Sequence, residues 1–201
     1  MTTSSLRLQT GASATLDYAA TSTERQGRRR DGKPLTRGLL HLLAAPVVLA
    51  GTGELALASR HPVAALLFGF AATALLATSG LYHTYGGRLS LAGAVRFARA
   101  DAAAIVLLVT ATIGAMTVAG VHGAWRTAIL AAVSVAAAVG VAVSVAPVSA
   151  PRQLRAVGYL LLGWAGVVPV WRLLADGGAV GVVLLLATGG ILYSLGEGVV
   201  S

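Results

Sequence analysis

The 201-residue sequence contains no cysteine and little charge. Without cysteine there is no disulfide scaffold, no thiolate zinc site and no cysteine nucleophile. Charged residues make up 11% of the chain, against roughly 25% in a soluble domain. That leaves too little polar surface to cover an ordinary water-exposed core. Also missing are the alternating apolar–polar segments of about ten residues that mark a transmembrane β-barrel. What is present is apolar and small. Hydrophobic residues make up 56% of the chain and the mean hydropathy is +0.80. Ala, Gly and Val dominate.

A bilayer core needs about 20 mostly apolar residues per helix. The sequence offers six such stretches, at 38–58, 62–83, 100–120, 127–147, 154–174 and 178–200. Charges, prolines or turns bound each one, including Pro62, Gly86-Gly87-Arg88, Ala146-Pro147 to Pro151, and Asp176-Gly177-Gly178. The connections are short, which suits antiparallel neighbours. The expected fold is all-α, a polytopic bundle of six transmembrane helices over 37–201. Small residues such as Gly114, Gly140, Gly166 and Gly189 would let helix backbones approach closely.

Residues 1–36 are rich in Ser, Thr and Arg and predict a disordered basic tail, without a cleaved signal peptide. Residues 1–37 carry seven basic and three acidic residues, half of the +8 formal charge. Beside a hydrophobic body such a flank points to anionic lipid at the cytoplasmic face rather than to nucleic acid. With the N-terminus inside, twelve basic residues fall on the inner side and three on the outer, Arg60, Arg126 and Arg172. The positive-inside rule therefore predicts a cytoplasmic N-terminus in the cell membrane.

Ionisable groups at membrane depth are costly and usually have a partner or a task. Four predicted helices place such groups at the inner end. Arg37 and His41 lie at i, i+4 on the first helix, Ser79 and His83 on the second, and Tyr193 and Glu197 on the sixth. Asp101 opens the third predicted span. Imidazole nitrogen and carboxylate oxygen suit a borderline cation such as zinc, so His83 and Asp101 are candidate ligands. Two ligands do not make a site, because catalytic zinc takes three plus water. Glu197 is a candidate third oxygen donor, or a partner for Arg37 or His41. His61 and His122 fall in or beside outer loops and are expected to be solvated. Glu54 is expected at the outer interface.

Ser79-Gly80-Leu81-Tyr82-His83 resembles the S-x-L-Y-H signature of the bacterial hemolysin III family, which is related to the progestin and adiponectin receptors. Other pieces match in order. Arg37 with His41 resembles an R-x-x-x-H on the first helix, and Asp101 to Ile105 resembles a D-H-x-x-I on the third. Gly158-Tyr159 and Gly163-Trp164 resemble the G-Y and G-W of the fifth, and Gly189 to Gly196 resembles the G-G-x-x-Y-x-x-G of the sixth. The resemblance covers about 37–200. It implies seven helices and an inner-leaflet zinc site, formed by the His and Asp above together with an H-x-x-x-H on the seventh helix. It implies His83 and Asp101 as ligands, Asp101 directly or through a water, with Ser79 behind them. Arg37, His41 and Tyr193 surround this set. The related receptors are linked to hydrolysis of lipid amides such as ceramide.

The sequence departs from that pattern. It ends at Ser201, so the expectation is a family fold lacking the seventh helix and its histidines. Ala102 stands where the pattern has His. Ala111-Thr112-Ile113-Gly114-Ala115 stands where it has G-T-Y-T-P. Three function classes follow: a degenerate or truncated zinc-dependent lipid-amide hydrolase, a non-catalytic membrane sensor or lipid-binding protein, and a pore-forming cytolysin. The pore is the weakest, because apolar helices offer little to line an aqueous path.

Overall fold

Inside hydrocarbon an apolar run can satisfy its backbone only as a helix or a closed barrel. The computed structural model describes residues 35–146, 152–175, 177 and 180–200, and among them it contains helices and no strand. The helices are α1 (Leu35–Ala58), α2 (Pro62–Tyr85), α3 (Leu91–Gly120), α4 (Gly123–Val145), α5 (Arg152–Trp164), α6 (Val167–Ala175) and α7 (Val180–Val200). A single 3-10 turn, Gly86–Arg88, links α2 to α3. The protein is an all-α, polytopic membrane bundle. The expected tail lies outside the described residues up to position 34.

The breaks have local causes. Pro62 occupies the first turn of α2, where its missing N–H costs nothing. Ser90 caps α3 by accepting a hydrogen bond from the Gly93 N–H at 3.2 Å. Gly123 adopts φ +62° to turn the chain from α3 into α4, a conformation that a side chain would strain.

Among the described residues, five stretches are long and apolar enough to cross a membrane: Gly38–Ala58, Pro62–Arg88, Leu91–Gly120, Gly123–Val145 and Val157–Ala175. A 21-residue helix rises about 31 Å, close to the ~30 Å hydrocarbon thickness. α7 also has an apolar segment, Val183–Leu192. The side-chain distribution fits a lipid surround. Leu57 is 91% exposed, and Leu40, Leu43, Leu184 and Leu185 also face outward. The buried set is mostly small, Ala45, Ala64, Ala65, Ala72, Ala103 and Ala104 with Thr52, Thr110 and Thr117, beside four β-branched residues, Val106, Ile113, Val121 and Ile129.

Small residues set the helix contacts. α1 and α2 pack as an antiparallel hairpin through three matched positions. A Cβ on Gly69 would collide with the Thr52 side chain. One on Gly80 would lie 3.0 Å from the Leu42 backbone nitrogen, and one on Gly38 would lie 2.8 Å from that of Thr84. α3 packs on α2 and α4 and also touches α5 and α6. Its buried stripe, Ala103, Val106, Thr110, Ile113, Gly114 and Thr117, recurs at three and four residues. Ile113, Val121 and Ile129 form the apolar centre, with Val109, Met116 and Val133 against it. Gly140 of α4 receives Val106, and Gly120 of α3 receives Leu173 of α6.

Two predicted spans need correction. The third begins at Leu91, nine residues before the expected 100, because Ser90 caps a helical start through Leu91-Ala92-Gly93-Ala94. The fifth is not one continuous helix over 154–174. It breaks at Ala165-Gly166 between α5 and α6. Pro169 explains the break, since it has no N–H for the Ala165 carbonyl and its ring crowds that carbonyl. The Gly166 N–H turns back to Gly163 O at 3.1 Å and the Val168 N–H to Ala165 O at 3.2 Å.

The α1–α2 contact yields a paired test. Gly69→Ala drives a methyl into Thr52, whose hydroxyl is already committed to the Val48 carbonyl at 2.7 Å. Overpacking of this kind costs about 1–3 kcal/mol, so the thermal midpoint in detergent should fall. Gly51→Ala meets open space and should leave the midpoint unchanged or raise it. Equal effects from the two substitutions would refute the interlock.

Candidate polar site between the first three helices

The start of α1 and the end of α2 lie side by side, as the contact between Gly38 and Thr84 requires. Glycine at 38 and 80 therefore presses together the two helix ends that carry His41 and His83. Their rings meet edge to face with centroids 6.4 Å apart, and Tyr82 lies tilted against His83 at 5.2 Å. Ser79, one turn before His83 on α2, is buried at 7% exposure. His41 and His83 are both half-buried.

Three polar atoms at these helices are buried without a hydrogen-bond partner: His41 Nδ1, Thr84 Oγ1 and Asp101 Oδ1. Other hydroxyls of the first three helices are satisfied within their own helix. Thr52, Thr73, Thr78, Thr110, Thr112 and Thr117 each donate to the carbonyl four residues back at 2.7–2.8 Å. The early start of α3 changes the setting of Asp101. It is the eleventh residue of α3, about 15 Å along the axis from Leu91, whereas His83 stands two residues before the end of α2. The two motif residues are therefore placed unequally about the α2–α3 connection.

A family model described as Haemolysin-III related matches residues 31–200. The chain belongs to the hemolysin III family. A search of curated proteins and a search of solved structures each gave no match. Membership accounts for the order of the motifs along the helices and for their polar residues within apolar spans.

Zinc is the metal that the resemblance implies, and the donor set was tested against it. Among the described residues, no three His, Asp or Glu side chains are grouped to hold a metal ion. Ala102, half-buried beside Asp101, supplies no donor. The described residues thus do not assemble a three-ligand zinc centre, and no step is derived through one. The side chains of Arg37, Tyr193 and Glu197 lie outside the described residues, so the third-donor and ion-pair expectations for Glu197 fall there too. Glu54, His61 and His122 are exposed.

Sequence reasoning placed His41 and His83 on neighbouring helices without pairing them. The glycines at 38 and 80 were the available signal. Thr84 was missed, and nothing in its sequence context marks it. At the other face, the Arg172 guanidinium lies 5.3 Å over the Trp125 ring. This cation–π contact joins α6 to α4 and lowers the cost of keeping an arginine among apolar helices.

A buried acceptor without a donor costs about 1–3 kcal/mol. Asp101→Ala should therefore raise the thermal midpoint of metal-free protein in detergent, because the methyl asks for no partner. A lower midpoint would show that Asp101 has a stabilising partner.

Proposed function

We propose that the chain is a multi-pass protein of the cell membrane with a cytoplasmic N-terminus, in contact with lipid on most of its helix surface. Its function rests on the cluster His41, Ser79, His83 and Asp101, which serves as a binding site and not as a complete zinc hydrolase. The observation that carries this reading is unpartnered polar capacity on the first three helices, His41 Nδ1 and Asp101 Oδ1, with no group of three metal donors among the described residues. A bound polar ligand would supply what these atoms lack. A hydrolase would also need a metal-activated water held by three protein ligands.

The second reading is a zinc-dependent lipid-amide hydrolase. It is favoured by the retention of Ser79, His83 and Asp101 at the family's motif positions, and zinc would then be its cofactor. Fatty-acid release from a ceramide-type amide in proteoliposomes separates the two. The binding-site reading expects no turnover above that of His83→Ala. Turnover that zinc supports and His83→Ala abolishes would establish the hydrolase instead.

The orientation can be tested cleanly because the chain has no cysteine. Arg60→Cys lies between α1 and α2, and Gly87→Cys lies between α2 and α3. In intact cells a membrane-impermeant maleimide should label the first and spare the second. The reverse pattern would place the N-terminus outside.

A further inference from the structure

We propose that the first turns of α3, with the 3-10 turn that leads into them, form a docking site for an anionic phospholipid whose headgroup phosphate is held by Arg88 and Arg96. The length of α3 gives the first reason. At 30 residues it rises about 45 Å, about 15 Å more than the ~30 Å hydrocarbon core. Its far end is anchored in the bundle: Thr117 is fully buried, and Val121, which follows the helix, is 1% exposed. The surplus therefore falls at the Leu91 end, where the first buried residue is Ala103. Arg96 stands five residues in from Leu91, about 7.5 Å along the axis. That places it beyond the hydrocarbon, at the level of the lipid headgroups.

The second reason is what this overhang presents. Over positions 91–100 the exposed residues are Leu91, Ala92, Val95 and Arg96. At 3.6 residues per turn they fall within about 140° of the helix circumference, so they make one face. Leu91 is 69% exposed and Val95 41%. Arg88, exposed in the preceding 3-10 turn, adds a second guanidinium. Arg99 is half-buried and already engaged, so it is left out of the pair. Between Glu54 and Asp101 the sequence has no acidic residue, and the local charge is positive. A dissolved anion or a nucleic acid would use the guanidiniums alone and leave Leu91 and Val95 in water. A phospholipid uses both: its acyl chain covers the apolar residues, and the arginines reach its phosphate from the same face. This surface uses neither imidazole nor Asp101, so it goes beyond the binding-site reading and does not depend on it.

The test uses the full 201-residue chain in a neutral detergent. It is titrated with dioleoyl phosphatidylglycerol or dioleoyl phosphatidylcholine, and bound lipid is counted by native mass spectrometry. Phosphatidylglycerol is expected to be held more tightly than phosphatidylcholine. Arg88→Gln and Arg96→Gln should each weaken it about fivefold, the effect of one arginine beside an anionic headgroup, and the double variant about 25-fold. Arg96→Lys keeps the charge and should keep most of the affinity, which separates the charge from a folding defect. Leu91→Ser together with Val95→Ser should weaken both lipids. Arg28, Arg29 and Arg30 changed together to Gln test the basic tail as the source of the preference, and the tight adduct should survive in that variant. Excess inorganic phosphate or a short RNA should not displace the lipid. Unchanged phosphatidylglycerol affinity in the double Arg88/Arg96 variant would overturn the proposal, as would no preference for phosphatidylglycerol or its loss in the tail variant. Displacement by phosphate would make the surface a site for a dissolved anion, and displacement by RNA a nucleic-acid surface; either result would also overturn it.

Discussion

No water reaches the hydrocarbon core of a bilayer, so polar atoms placed there must find partners inside the protein. Most of this structure follows from that constraint. The backbone closes on itself as helices. Thr52, Thr73, Thr110 and Thr117 return their hydroxyls to the carbonyl one turn back. Such bonds need no neighbouring helix, so they leave the helix surface free for apolar contact. The same constraint removes the usual reason for burying large side chains, because lipid is as apolar as leucine. The leucines therefore face outward and the helices meet through Ala, Gly and Thr.

Against that background, unpartnered atoms are informative. His41 Nδ1, Thr84 Oγ1 and Asp101 Oδ1 belong to the first three helices, and the first two belong to the same pair of helix ends. Two of these atoms, His41 Nδ1 and Thr84 Oγ1, lie at the helix ends that also bring the His41 and His83 rings together. Arg172 is the useful contrast: it is half-buried, yet the Trp125 ring receives its guanidinium, so its role is to join helices.

The helices were legible because their signal is cumulative. About 20 apolar residues with a charge or proline at each end leave few alternatives, and five such stretches stand as spans. The errors fell where one residue outweighs the average. Pro169 lies in an otherwise apolar run, and a hydropathy reading passes over the carbonyl that it cannot serve. The start of α3 carries Arg96 and Arg99 and reads as a loop, but Ser90 caps a helix there. For the site, spacing within one helix was readable, as with Ser79 and His83. Pairing between helices was not, because it depends on which faces meet. That information sits in glycines whose importance appears only when the opposing backbone is known.

The glycines also explain why family membership and chemistry can separate. A fold of this kind is specified by small residues at crossings and by apolar length, neither of which involves a ligand. The pattern can therefore hold over 31–200 while Ala102 stands where the family motif has His. Yet the site is not independent of the fold. A Cβ at Gly38 would meet the Thr84 backbone, and one at Gly80 would meet that of Leu42. Either would push α1 from α2 at the level where His41 and His83 face each other. The contact that holds the first two helices together is thus the one that sets the distance between the two imidazoles. Close packing at these two glycines therefore fixes the His41–His83 spacing whatever occupies the neighbouring positions.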